Sequence, residues 1–281
     1  MAHRALPPWR GRTEERETTP AEGEVRLGRA HGGRAAARSG ADPAVSGVVL
    51  LLPDGERESV RGTSARSLLR LLPLGRALAR AGRADGLVVH SVHYRRRGWN
   101  GADAQLAADA LRAADEVVRR YGDVPICLAG HGFGGRAALH AADHPGVGAV
   151  LAMAPWLPDD GAGGGARGGG AGALEPVKQL AGRQVLIVHG TNDARTEPDL
   201  SYRLAERAKK VNRNICRFEV HTDGNSLRQH HAEVMALATD FVLGSLFPHP
   251  YSRPVADALA APPPLGLRMP LAAGFGKSLR P

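Results

Sequence analysis

Cysteine is almost missing from this sequence: Cys127 and Cys216 are the only two among 281 residues. Neither lies in a CxxC or mixed Cys/His spacing, which argues against a disulfide framework and against a cysteine-based metal site. Each falls in an apolar run, where cysteine behaves as a small hydrophobe. Aromatic residues make up only 4% of the chain, so a core has to rest on Leu, Val and Ala. No stretch approaches the roughly 18 consecutive apolar residues of a membrane span. The N-terminus lacks an apolar h-region, and Glu14, Glu15, Glu17, Glu22 and Glu24 argue against a transit peptide. A soluble, cytoplasmic protein without a membrane partner is expected.

Basic residues are in excess, with a formal charge of +9. Residues 1–46 carry eight arginines against six acids, and residues 249–281 carry four basic residues against one acid. No aromatic-interleaved basic patch accompanies this charge, so it speaks to solubility and gives no ground for a nucleic-acid partner.

Gly (36) and Pro (20) form about a fifth of the chain and are concentrated in particular stretches. Residues 1–45 are rich in Arg, Gly and Ala without apolar periodicity and read as a disordered tail. Residues 249–281, with Pro262, Pro263 and Pro264, read as a second, irregular tail, whose Leu265, Leu267, Met269 and Leu271 suit packing on the domain surface. Residues 159–174 are nearly all Gly and Ala and read as a flexible insertion. Between the tails, 46–248 read as one folded domain.

Within that domain, apolar runs suited to buried parallel strands lie at 47–53, 86–92, 124–129, 147–153, 184–189 and 215–221. Helical periodicity fills 66–81, 102–120, 134–142, 199–211 and 229–246, with Pro73 expected to kink or divide the first. Six strands alternating with helices predict an α/β fold with a doubly wound, mostly parallel sheet. Ligands of such sheets lie beyond the carboxyl ends of the strands.

At the end of the third run the sequence reads Gly130-His131-Gly132-Phe133-Gly134-Gly135. A strand, a sharp glycine turn and a small-residue helix follow one another. A dinucleotide-binding turn has similar glycines, but it belongs on the first strand with an acid about 20 residues on. Asp143 and Asp159 are poorly placed for that role, and no cofactor is expected.

The segment resembles the nucleophile elbow of the α/β-hydrolase superfamily, G-x-S-x-G. The resemblance covers roughly 47–247 and extends to His189-Gly190-Thr191-Asn192-Asp193, similar to the segment carrying the family's triad acid. It implies the α/β-hydrolase fold, with Gly132 at the nucleophile position, Asp193 at the acid position and Asn225 at the histidine position. A register shift would bring His221, His230 or His231 there instead. Asp193 without a histidine has a simpler role in satisfying backbone N–H groups of its own loop. The family's oxyanion-hole loop corresponds to Pro53-Asp54-Gly55, and the backbone N–H of Phe133, at a helix N-terminus, is still able to bind an anion. Asp54 either brings negative charge to that hole, the opposite of what acyl transfer needs, or points to solvent as a turn residue. Trp156 is a candidate cleft wall or a cap over the core. In the family's strand order two strands separate those of Cys127 and Cys216, about 14 Å at ~4.8 Å per strand, too far for a disulfide.

Beyond the second run lie His90, His93 and Arg95-Arg96-Arg97. The histidine spacing does not put both on one strand face, so no metal site is expected. The arginines suit either an anion or a solvated loop. The expected function is non-hydrolytic binding of a small molecule or a protein in the former cleft. The alternative is a hydrolase of esters, thioesters or peptides with a non-standard nucleophile.

Overall fold

The computed structural model describes residues 24–32, 45–159 and 174–277. Most of the predicted N-terminal tail and nearly all of the predicted insertion lie outside the described residues. The central strands are β3 (Gly47–Leu52), β4 (Leu87–His93), β5 (Ile126–His131), β6 (Val147–Met153), β7 (Gln184–Gly190) and β8 (Ile215–Val220). These are the six runs read from the sequence, and they pair in parallel. Short strands β1 (Arg26–Leu27) and β2 (His31–Gly32) pair antiparallel with β4, and β9 (Met269–Pro270) pairs with β8. Among the described residues the sheet therefore has nine strands, in the order β1-β4-β3-β5-β6-β7-β8-β9 with β2 also on β4.

Alternation along each strand sends side chains to two separate cores. Val48, Leu50 and Leu52 of β3 pack under α2 (Gln105–Tyr121), α3 (Phe133–His140) and α4 (Pro198–Lys209). Val49 and Leu51 pack on the opposite face under α1 (Ala65–Ala81), α5 (His231–Leu246) and α6 (Arg253–Ala260). With few aromatics, Leu, Val and Ala fill most of both layers, and Phe218 and Phe241 supply the bulk under α5. Cys127 and Cys216 are free thiols within the second core, on strands separated by β6 and β7. Burial pushes both thiols up to about 12, which removes them as nucleophiles.

Two expectations are corrected. Of the two outcomes expected at Pro73, a kink or a division, the division does not occur: helix α1 runs from Ala65 to Ala81 through it. Pro73 lies on the solvent side, and the carbonyl deprived of its donor belongs to the exposed Leu69, where water can satisfy it. The predicted irregular tail over 249–281 instead adds α6 and β9 to the domain. Val255, Ala258, Leu267 and Leu271 are buried there, whereas Leu265 is exposed. The buried Arg217 of β8 anchors this segment, donating to the carbonyl of Leu267 at 2.9 Å and to Glu219 at 2.8 Å.

The arginine run after β4 is largely committed to the protein. Arg95 pairs with the buried Asp109 at 2.9 Å and Arg97 with Glu56 at 2.8 Å. His90 hydrogen-bonds the Gly28 carbonyl and the Tyr121 hydroxyl. Among the described residues, no helix is long and apolar enough to cross a membrane.

The topology places the cleft. From β3 the chain moves outward through α1 to β4, then returns across β3 to β5 on its other side. The carboxyl ends of β3 and β5 flank this reversal, where connections diverge and leave a crevice. Asp54 follows the first of these ends and Gly132 the second. Helix α3 can start so close to β3 because Gly134 has no Cβ: one there would lie 2.1 Å from the Leu52 carbonyl oxygen.

Candidate functional site

Gly132 joins β5 to α3 with φ +57° and ψ −123°. Only glycine takes this conformation without a strain of about 1–3 kcal/mol. Its N–H donates to the Met153 carbonyl at 3.0 Å, and its own carbonyl accepts from Trp156 and Arg136. The bend is thereby fixed on three sides.

The space a side chain at 132 would need is filled. A Cβ there would stand 2.1 Å from Oδ1 of Asp54 and 2.6 Å from its Cγ. Asp54 is buried, so the solvent-facing alternative for this residue is corrected. Its Oδ1 accepts the backbone N–H of Phe133 at 2.9 Å and of Gly55 at 3.0 Å. The first donor opens helix α3, where unpaired N–H groups and the helix dipole favour an anion. Oδ2 accepts from Nη1 of Arg195 at 3.1 Å.

Arg195 carries the network onward. The same Nη1 donates to Oδ1 of Asn225 at 3.2 Å, and Nδ2 of Asn225 donates to Oδ2 of Asp193 at 3.0 Å. Asp193 also accepts from the backbone N–H groups of Arg195 and Thr196, at 2.8 and 3.2 Å, and from Nε2 of His189 at 3.2 Å. His189 is fully buried and reaches Ser201 through Nδ1 at 2.9 Å, where Arg217 also donates. Burial works against the charge of Asp193, but hydrogen bonds from His189, Asn225 and the two backbone donors outweigh it. Its carboxyl is held below the usual carboxylate range.

That lowered pKa has a sign. Asp193 adds stability above the unfolded carboxylate value of about 3.9, and the contribution disappears as pH falls through the lower folded value. Asp193→Asn should therefore be destabilising at pH 7, with a cost that shrinks below about pH 4. Urea unfolding of both proteins at pH 7, 5 and 3 checks this. A cost that is constant with pH would contradict it.

None of His221, His230 and His231 is among the partners of Asp193; His221 and His231 are exposed and His230 is half-buried. Asn225 takes the bond to the carboxylate. His131 is buried with Nε2 donating to the Asn225 carbonyl at 2.7 Å. Burial lowers its pKa despite the pull of Asp54, so the ring is neutral at pH 7. Phe133 stacks on Trp156 with ring centroids 4.4 Å apart, and Arg57 lies 5.2 Å from the Trp156 ring. Beside them opens a cavity of about 410 Å³, walled by Trp156, Leu157, Arg195, Thr196 and Leu200.

Neither a protein-family model nor a curated protein sequence matches this chain. Solved structures do match it in shape. An esterase of Pyrococcus furiosus superposes with a TM-score of 0.55 at 15% identity, covering 72% of this chain and 83% of its own. Est1E of Butyrivibrio proteoclasticus, solved with ferulic acid bound, gives 0.53 at 15% identity over 79% and 95%. A putative dienelactone hydrolase of Klebsiella pneumoniae gives 0.52 at 18% identity over 74% and 89%. This chain has the α/β-hydrolase fold.

Within this α/β-hydrolase fold, Asp54, Gly55, Gly132 and Phe133 meet at the carboxyl ends of β3 and β5, and Trp156 covers Phe133. Asp193 and Asn225 join them through Arg195. Sequence reasoning did not single out Arg195, Ser201 or Arg217, nor a role for His189 beyond its place in the His-Gly segment. The one available signal for Arg195 was its position two residues after Asp193.

Proposed function

We propose that this α/β-hydrolase-fold chain is a pseudoenzyme: a protein with a degenerate triad that binds a small molecule or a protein partner in its cleft without cleaving it. The observation that carries the reading is the carboxylate of Asp54. It lies in the volume of the missing nucleophile side chain and accepts the N–H groups of Gly55 and Phe133, the donors an oxyanion would need. Acyl transfer through the bend would need a nucleophile at 132, a base at 225 and an anion hole free to receive developing charge. Glycine supplies no reactive atom, the amide of asparagine takes up no proton at neutral pH, and an internal carboxylate takes the hole.

Asp54 is itself a conceivable replacement nucleophile. Its oxygens, however, are engaged by two backbone N–H groups and a guanidinium. Among the described residues no imidazole hydrogen-bonds to it. The network supports a structural carboxylate over a reactive one.

Purified protein is expected to show no covalent adduct by intact mass after incubation with a fluorophosphonate probe. It should also give no burst of nitrophenol from nitrophenyl acetate. A stoichiometric adduct would end the non-hydrolytic reading.

A further inference from the structure

We propose that the cleft beside the bend takes a monoanion bearing a flat apolar group, of the aryl carboxylate class. This inference rests on the reading of the cleft as a site that binds without cleaving.

The cavity of about 410 Å³ has the size of a small-molecule site. Its apolar walls are Trp156, Leu157 and Leu200. Trp156 is half-buried and braced by Phe133, which gives a rigid aromatic surface against which a planar group can pack.

The polar groups around the same cavity have donors to spare. Arg195 spends only Nη1 on Asp54 and Asn225, and its side chain is 51% exposed. Its Nε and Nη2 have no partner among the described residues. The Arg57 guanidinium lies by the Trp156 ring and has no carboxylate partner among the described residues. Thr196 is 4% exposed, and its Oγ1 is buried without a hydrogen-bond partner. Guanidinium groups pair with carboxylates through parallel N–H donors, a geometry that a neutral carbonyl cannot match in strength.

Charge around the cavity sets the valence. Arg195 is already paired with Asp54 at 3.1 Å and Arg203 with Asp199 at 2.7 Å, which leaves Arg57 as the lining guanidinium without a carboxylate partner among the described residues. Asp159 and Glu197 also line the cavity, so one negative charge fits it better than two. Asp54 is the nearest precedent, since one carboxylate already sits against Arg195 inside the fold.

Calorimetric titration of the full chain with 2-naphthoate and with its neutral amide, 2-naphthamide, tests the proposal. The acid is expected to bind one to one and at least about tenfold more tightly than the amide, as a charge-assisted hydrogen-bonded contact requires. The exposed-site variant Arg57→Gln should weaken the acid about threefold to tenfold and leave the amide within about twofold. Trp156→Leu, with its fold checked by thermal unfolding, should weaken both. Equal affinity for acid and amide overturns the anion class while leaving a cleft that binds. Absence of acid binding, or no effect of Arg57→Gln, overturns the proposal as well. Covalent labelling by a fluorophosphonate would instead defeat the non-hydrolytic reading on which it stands.

Discussion

The double variant Gly132→Ser with Asn225→His is expected to stay unreactive towards a fluorophosphonate, and adding Asp54→Ala should make it react. The double change restores the residue types that the α/β-hydrolase resemblance calls for, but it does not restore the space. A Cβ at 132 falls 2.1 Å from Oδ1 of Asp54, so the new serine and the existing carboxylate compete for one volume. The strain of a non-glycine residue at φ +57° adds about 1–3 kcal/mol, and the double variant should be measurably less stable. Removing the Asp54 side chain clears the volume and frees the Gly55 and Phe133 donors together. A histidine at 225 would then have Asp193 in reach, because Asn225 already bonds it at 3.0 Å. Labelling at least about 100-fold faster in the triple variant than in the double is the expected result, a small part of what a working triad supplies. Equal rates in the two would show that Asp54 is not the obstacle.

Arg217→Ala should destabilise the fold by about 3–5 kcal/mol, the usual cost of breaking a buried ion pair by removing one partner. Arg217 is 1% exposed and donates to the Ser201 hydroxyl, the Glu219 carboxylate and the carbonyls of Pro198 and Leu267. Burial pulls its pKa down, and Glu219 opposes that shift. Truncation leaves buried acceptors without a donor and releases the segment that carries β9. Arg217→Met keeps much of the packing volume and should cost less than alanine. Urea unfolding midpoints decide, and a loss below about 1 kcal/mol would mean that the polar cluster is not structurally coupled to the sheet.

What was legible in the sequence follows from how far each feature depends on local pattern. Strands β3 to β8 are buried along nearly their whole length, so each writes a mainly apolar run, interrupted in β4 by His90 and Ser91 and in β8 by Arg217 and Glu219. Strands β1, β2 and β9 span two residues each, too short for any periodicity, and β9 contains Pro270. Helix α6 was hidden by the prolines around it, although Pro254 sits in its first turn, where a missing N–H costs nothing. In the cleft, the bend at Gly132 and the acid at Asp193 were visible because glycine spacing and the His-Gly segment are local signals. The direction of the Asp54 side chain was not, since a turn aspartate and a hole-filling one have the same sequence. Arg195 was lost among 37 basic residues, in a chain where arginine carries little information by its presence alone.

The amide protons of Gly55 and Phe133 report most directly on the carboxylate that sits between them. Their resonances, followed by nuclear magnetic resonance, should lie downfield in the unmodified protein and move upfield together in Asp54→Ala, while amides elsewhere in β3 and α3 stay in place. If both resonances are unchanged by that substitution, the carboxylate does not occupy the hole.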